Sequence, residues 1–313
     1  MSAEKLLSLI NKGTLLCIYK PPELDNFKIV ANRLRSLLNC SLPKRQLRYY
    51  YNPDNSSHGS CNVSVDRASF GEVLGPKLNC RDISLTLYHT LPKYASGVQL
   101  IGINHVPGRN QLNEFMYYSC DCTYEVSVKL GKCTFDGVLS RYNKPGNLSR
   151  RKLTSVSDYG HVRRNSILEA ISSIECYHRS MLNWMYSLNK GTSKDGHPPA
   201  LFESIELVSL QMPSLTLRIK TRAPASHIPA VITKELATNR LKTDACVTKL
   251  RRTDIDGVFT VTTALILSNS DEVLIDGLLQ NARNCSQILR YLAVKRSDER
   301  LQNLRDEYRE YFS

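Results

Sequence analysis

The sequence predicts an α+β fold built on a mixed or antiparallel sheet. Strand-like and helical segments alternate at irregular spacing and include one hairpin, whereas a doubly wound parallel fold would alternate more regularly. Hydrophobic residues make up 42% and charged residues 23% of the 313 residues, which is ordinary for a globular chain with a large core. No apolar run approaches the roughly 20 residues that a membrane-spanning helix needs, so no membrane span is predicted.

The first half of the chain is mainly strand-like. A short amphipathic segment at 1–13 precedes apolar residues at 14–19, which predict a buried strand ending at Lys20-Pro21-Pro22. The spacing of Phe27, Val30, Leu34 and Leu37 then predicts a helix, and the polar stretch at 43–61 predicts irregular structure. Further strands are predicted at Asn62–Val65, Ile83–Tyr88, Ser96–Ile103 and Tyr124–Leu130.

The second half mixes helices with a hairpin. A long loop is predicted over 141–164, followed by a helix with an apolar face at Ile167, Ala170, Ile171 and Ile174. Alternating apolar residues on either side of Met212-Pro213 predict a hairpin, and a helix at Ala230–Leu241 and a strand at Val258–Leu267 follow. The predicted organisation is a short N-terminal segment at 1–13, one domain at 14–267 and a helical C-terminal extension at 268–313.

The cysteines and glycines give no sign of a metal or nucleotide site. The ten cysteines are scattered without paired CxxC spacing, and the nearest approach to a metal motif is Cys120-x-Cys122 with Cys133. No glycine-rich phosphate-binding motif is present. We therefore predict reduced cysteines, no metal and no cofactor.

The charge balance favours an anionic partner. The chain carries 42 Lys+Arg against 29 Asp+Glu, a formal charge of +13, which makes nucleic acid the leading candidate. Basic doublets recur at Lys44-Arg45, Arg150-Arg151, Arg163-Arg164, Arg251-Arg252 and Lys295-Arg296. The first of them is followed by Arg48-Tyr49-Tyr50-Tyr51, which predicts either a stacking platform for unpaired bases or an edge strand.

Small residues interrupt the apolar pattern after His89. Ala95-Ser96-Gly97 lies between two apolar strand segments, which predicts a close backbone approach by a ligand or by a neighbouring strand. No spacing of Ser, His, Asp or Cys indicates a nucleophilic triad.

Four segments together resemble motifs of the TruB family of RNA pseudouridine synthases, specifically its mitochondrial animal branch. These segments are Tyr19-Lys20-Pro21-Pro22, the stretch 88–98 (YHTLPKYASGV), Tyr124 with Leu130-Gly131-Lys132-Cys133-Thr134, and Leu250-Arg251-Arg252-Thr253 with the stretch 256–261 (DGVFTV). The resemblance runs from about residue 14 to residue 267, and the last segment is the most specific of the four.

The resemblance implies a mixed α/β domain with a curved antiparallel sheet, and an activity that needs no cofactor. Members of the family flip a uridine out of an RNA loop, break its glycosidic bond and rejoin the base through C5. The family's essential Asp follows the Leu of the second motif, and an Arg before the fourth motif pairs with that Asp. In this chain the resemblance assigns base binding to Tyr124 and His89.

This chain departs from the family pattern at the catalytic positions. Pro92 occupies the position of the Asp, Val231 occupies that of the partner Arg, and Cys122 replaces a Lys two residues before Tyr124. Proline has no titratable group and can act neither as nucleophile nor as base. Loss of both partners is physically consistent, because an Arg left without its acid would be a buried unpaired charge.

Three hypotheses follow. The first is an RNA-binding relative with lost or impaired isomerisation, and the second is an active enzyme whose carboxylate is relocated to Asp82, Asp121 or Asp136. The third is a protein-interaction subunit for which RNA contact is incidental. On the first hypothesis the RNA-binding residues are Lys20, Lys44, Arg45, Arg150, Arg151, Arg163, Arg164, Arg251 and Arg252.

The resemblance also implies a location and partners. It implies the mitochondrial matrix, mitochondrial mRNA, tRNA or rRNA as ligand, and proteins of mitochondrial RNA granules or of ribosome assembly as further partners.

Overall fold

The structure is a computed structural model that describes residues 14–22, 32, 36, 49–52, 62–65, 84–103, 121–134, 137–139, 153–187, 202–266, 277, 280–282, 285 and 287. The strands are β1 Thr14–Lys20, β2 Tyr49–Asn52, β3 Asn62–Val65, β4 Leu85–Tyr88, β5 Ser96–Ile103, β6 Cys122–Leu130, β7 Lys132–Thr134, β8 Leu153–Val156, β9 Phe202–Gln211, β10 Ser214–Thr221, β11 Ala245–Ile255, β12 Phe259–Thr260 and β13 Leu265–Ile266. The helices are α1 Arg164–Ser187, the short α2 Ile228–Ala230 and a π-helix at Val231–Leu241 that continues from it.

A nine-stranded mixed sheet organises these elements, so the predicted α+β class is confirmed. Its strand order is β13-β1-β5-β11-β6-β10-β9, with β4 also on β5 and β12 also on β11. Two pairs, β1 with β13 and β5 with β11, are parallel, and the other pairs in this sheet are antiparallel. Two-stranded sheets β2–β3 and β7–β8 lie outside it.

One hydrophobic core contains a face of β6 and a face of α1, and α1 packs against β9 and the π-helix. Every second residue of β6 is buried, from Cys122 through Tyr124 to Leu130, as the alternating sequence predicts. On α1, Ile167, Ala170, Ile171 and Ile174 are buried in the same hydrophobic core, as their helical spacing predicts. Within the described helices, none is long and apolar enough to cross a membrane.

Three predictions of secondary structure are wrong. The stretch predicted as irregular contains β2, the predicted loop at 141–164 contains β8, and the strand predicted at Val258–Leu267 is two short strands, β12 and β13. The sequence prediction also missed β11. Its partner register shifts at Val247/Lys249 and at Arg252/Asp254, so two irregularities break the period-two alternation by which a strand is recognised.

Part of the predicted helix at 27–37 and most of the C-terminal extension lie outside the described residues. Asn32 and Ser36 are helical, as are the described residues from Gly277 to Gln287. The division into three segments therefore stays a prediction.

Gly97 permits the close approach of β5 and β11 that the small residues predict. Its φ is +113°, and a Cβ placed on it would lie 2.0 Å from the backbone oxygen of Arg252. The neighbour is thus a strand of the same sheet, because Arg252 is the register partner of Gly97. Any side chain at this position would force the two strands apart.

We predict that Gly97→Ala destabilises the protein by more than about 3 kcal/mol, because backbone atoms of β11 cannot yield as a flexible side chain would. Urea unfolding would measure the change. The matched control is Gly257→Ala, whose φ is +68° but whose added Cβ would meet nothing within 4 Å. It should cost only the left-handed backbone strain of about 1 kcal/mol, and equal losses for the two variants would contradict the role of close approach.

Asn281, which is helical, connects β1 to the residues before β13 by hydrogen bonds. Asn281 Oδ1 accepts the Cys17 amide N–H at 2.8 Å, and its Nδ2 donates to the Thr263 carbonyl at 2.8 Å. The Cys285 thiol donates to the same Asn281 oxygen at 3.4 Å. Burial raises the pKa of Cys17 to about 12, with a further contribution from Cys285, and burial raises the pKa of Cys285 to about 12.

These thiols predict a loss of stability at alkaline pH. Above pH 9 the unfolded chain loses the two thiol protons while the folded chain retains them, so the free energy of unfolding falls as the pH rises from about 9 to about 12. We expect a loss of about 2 kcal/mol between pH 8 and pH 10, measured by urea unfolding. In the variant Cys17→Ala/Cys285→Ala this fall should be shallower, and an unchanged slope would contradict the assignment.

Candidate functional site

A buried arginine joins three of the motif segments. Arg252 of β11 is 1% exposed, and its register partners are Gly97 on one side and Tyr124 on the other. Its guanidinium donates to the His89 carbonyl at 2.6 Å and to the Val98 carbonyl at 2.8 Å. The pairing of β11 with its two neighbours therefore aims this side chain at the segment before β5.

The same guanidinium lies against the aromatic residue of the third motif. Arg252 Nη1 is 3.5 Å from the Tyr124 hydroxyl oxygen and 4.0 Å from Cys122 Sγ, and the guanidinium carbon is 5.9 Å from the Tyr124 ring centroid. Tyr124 is itself 1% exposed. Cys122, which the sequence resemblance places at the position of a family Lys, brings no second cation to Arg252.

A buried lysine holds the same segment from β1. Lys20 ends that strand, is 7% exposed, and donates from Nζ to the carbonyls of Ala95 at 2.7 Å, Lys93 at 3.1 Å and Pro92 at 3.2 Å. We call residues 88–96 the cation-held turn. Backbone carbonyls of this turn therefore stabilise both buried cations.

The side chain of Gln99 completes the support of the turn. Its Oε1 accepts the Leu91 N–H at 3.1 Å, and its Nε2 donates to the Tyr88 carbonyl. His89 adopts a left-handed backbone conformation, with φ at 49°, which directs its carbonyl to Arg252. Gln99 was missed as a site residue, although a single amide within the apolar strand Ser96–Ile103 is a signal for it.

The charge on Arg252 is balanced by dipoles. Among the described residues, no carboxylate lies within ion-pair distance of its guanidinium. Burial would lower the pKa of Arg252, but Tyr124 and Cys122 outweigh it, so the pKa is raised and the group stays charged. Burial raises the pKa of both Tyr124 and Cys122, which therefore stay neutral. The carbonyls, the hydroxyl and the aromatic face offset part of the desolvation cost.

The two positions to which the sequence resemblance assigns the family's acid and Arg are Pro92 and Val231, and neither side chain is ionisable. Pro92 is half-buried in the cation-held turn, and the preceding Leu91 lies in the same hydrophobic core as Tyr124. Val231 begins the π-helix and is 8% exposed in that core. His89 and Tyr124, to which the resemblance assigns base binding, contact the same guanidinium, His89 through its carbonyl and Tyr124 through its hydroxyl.

The alternative acid Asp121 is engaged elsewhere. Its carboxylate lies 2.6 Å from Arg222 Nε and 3.3 Å from Lys220 Nζ. Burial raises the pKa of this carboxyl, but the two basic groups outweigh burial and lower it overall. Asp121 is thus held as an ionised partner of β10 and the residue after it, while Asp82 and Asp136 lie outside the described residues.

The predicted RNA-binding residues fall into three groups. Arg163 and Arg164 are exposed, and Arg251 is half-buried with its guanidinium 6.0 Å from the Tyr19 ring centroid. Lys20 and Arg252 are buried against backbone carbonyls, so in this conformation they support the turn. The remaining four lie outside the described residues: Lys44, Arg45, Arg150 and Arg151.

Within the described residues, no group of three or more His, Cys, Asp or Glu side chains is arranged to hold a metal ion. The described residues at the turn place two buried cations, an aromatic ring and backbone carbonyls together.

Among known proteins, the chain is similar to several solved structures. No family model and no curated protein matches the chain. The fold is similar to an archaeal box H/ACA sRNP Nop10–Cbf5 complex, with a TM-score of 0.48 and 14% identity over 89% of this chain and 60% of that one.

Two further solved structures are similar in the same way. They are an H/ACA RNP bound to a substrate RNA containing 2′-deoxyuridine, with a TM-score of 0.45, 13% identity and coverage of 90% of this chain and 60% of that one, and a Cbf5–Nop10–Gar1 complex, with a TM-score of 0.43, 13% identity and coverage of 90% and 61%. This chain thus spans about 60% of the length of those chains. Similarity at this level does not transfer an activity to it.

We predict that Arg252→Lys destabilises the protein by about 3 kcal/mol, because a single ammonium cannot replace a planar fork that reaches two carbonyls and the Tyr124 hydroxyl. Urea unfolding measures the loss. The matched control is Arg251→Lys on the same strand, which keeps a half-buried cation and should cost less than about 1 kcal/mol. Similar losses for the two variants would contradict a special role for Arg252.

Proposed function

We propose that this protein is an RNA-binding relative of the TruB-family pseudouridine synthases in which uridine isomerisation is lost or impaired. The observation that carries the proposal is the convergence of the four motif segments. Lys20 of the first segment bonds to carbonyls of the second, and Arg252 of the fourth bonds both to the second and to Tyr124 of the third. These bonds join residues 72 to 163 positions apart in the chain.

The same geometry supports the loss of catalysis. TruB-family enzymes break the glycosidic bond with the help of a carboxylate at the sugar, and Pro92 provides none. Asp121 forms ion pairs with Arg222 and Lys220. This engagement counts against Asp121 as the relocated carboxylate of an active enzyme, the second hypothesis. The buried Tyr124 and the cation-held turn then remain as a scaffold without the reacting group.

RNA is the partner that the charge supports. The formal charge of +13 and the exposed Arg163-Arg164 doublet favour a polyanion. From the family resemblance we further propose a mitochondrial matrix location, with mitochondrial mRNA, tRNA or rRNA as the ligand and RNA-granule or ribosome-assembly proteins as further partners.

We predict that the protein releases no tritium from transcripts labelled at uridine C5, because release requires a carboxylate at the sugar and Pro92 provides none. Release at turnover rates that is abolished by Asp121→Ala, Asp82→Ala or Asp136→Ala would instead establish the relocated-acid hypothesis. An active TruB-family enzyme on the same transcripts is the positive control.

The double variant Pro92→Asp/Val231→Arg should regain measurable tritium release, since it restores both an acid and the cation that keeps it ionised. Neither single variant should do so, because each introduces one charge without its partner. Circular dichroism would establish that all three variants are folded. Release by Val231→Arg alone would contradict the assignment of position 92.

A further inference from the structure

A group of exposed basic side chains lies outside the cation-held turn. His161 and Arg163 precede α1, Arg164 is its first residue, and Lys242 follows the π-helix. All four are exposed. We call these four residues the basic patch. Two of them, Arg163 and Arg164, form one of the basic doublets of the sequence.

Hydrogen bonds bring the two segments of the basic patch together. His161 Nε2 is 2.8 Å from the Leu241 carbonyl oxygen, and Thr243 Oγ1 donates to the Asp158 carbonyl at 2.9 Å. The Asp244 N–H also donates to Ser157 Oγ at 2.7 Å. Lys242 lies between the first two contacts, so its backbone is held beside the turn that presents Arg163 and Arg164.

The charges of the basic patch are not neutralised within the described part of the chain. Arg163, Arg164 and Lys242 form no ion pair with a described carboxylate, and the Asp158 carboxylate accepts the Gly160 N–H at 2.9 Å. The first turn of α1 contains no acidic residue. Cations at the positive end of a helix are unfavourable, so the two arginines cost stability here and gain no ion pair in return.

We propose that the basic patch binds the phosphate backbone of RNA. The proposal rests on the proposed function, and it names a surface that holds the RNA. Protein partners usually dock on an apolar centre, but residues 157–166 and 241–244 expose no large apolar side chain. Separate cations on a fixed loop, by contrast, suit a ligand with regularly repeated negative charges.

The test is the salt dependence of RNA binding. The probe is a fluorescein-labelled RNA stem-loop, titrated with the full-length protein at several salt concentrations. For the variant Arg163→Gln/Arg164→Gln/Lys242→Gln we expect the slope of log K against log salt to fall by roughly two to three, and the affinity at moderate salt to fall at least about tenfold.

The matched control is Arg218→Gln/Lys220→Gln/Lys249→Gln. It removes the same net charge from three exposed side chains that already form ion pairs with Glu206, Glu203 and Glu125. Its slope should change by less than about one. The urea midpoint of the patch variant should equal or exceed that of the wild type, which separates lost binding from lost folding.

The outcomes are distinguishable. RNA binding with a slope unchanged by the patch variant, or lowered equally by the control, overturns the basic patch and leaves the proposed function standing. No RNA binding by the wild type overturns both. Polyglutamate bound more tightly than the stem-loop, with the same loss in the patch variant, overturns the assignment of RNA and establishes an acidic protein as the partner.

Discussion

The buried guanidinium of Arg252 is the interaction on which the site depends. It connects β11 to the cation-held turn through the His89 carbonyl, to β5 through Val98 and to β6 through Tyr124. Because a buried charge is stable only when its surroundings are polar and correctly placed, the geometry of the turn and the charge of Arg252 require each other. Gly97 is part of the same constraint, since only a residue without Cβ lets β11 approach closely enough.

The supports of the cation-held turn do not depend on the side chain at position 92. The turn is held by Lys20, Gln99 and Arg252 through backbone groups, which any side chain at position 92 leaves in place. Proline lacks an N–H, but its carbonyl still accepts both the Lys20 ammonium and the Ala95 N–H. The conformation of the turn is therefore independent of the chemical character of the side chain at position 92.

The basic residues divide in a corresponding way. Lys20 and Arg252 are buried and stabilise the fold, whereas Arg163, Arg164 and Lys242 are exposed and contribute no ion pair within the described residues. An exposed cation at the positive end of a helix that forms no ion pair with a described carboxylate costs stability, which is the observation behind the proposed RNA contact. Lys20 and Arg252, from two different motif segments, thus support the fold, whereas the exposed cations outside the motifs are the ones we propose for binding.

Much of the secondary structure can be predicted from the sequence. The strands Asn62–Val65 and Ser96–Ile103, the alternation in β6, the face of α1 and the hairpin around Met212-Pro213 were all predictable, because hydrophobic periodicity reports directly which residues face the core. It also located three residues of the site, His89, Tyr124 and Pro92, through their motifs.

The strand β11 and the buried positions of two cations depend on contacts between distant parts of the chain. The irregular register of β11 hid that strand from any test of alternation, and a Lys or Arg in a sequence looks like a surface residue wherever it stands. Lys20 and Arg252 are buried because carbonyls from a turn more than 70 residues away meet them. Such partners are backbone atoms, common to every residue type, so no pattern of side chains along the chain can reveal them.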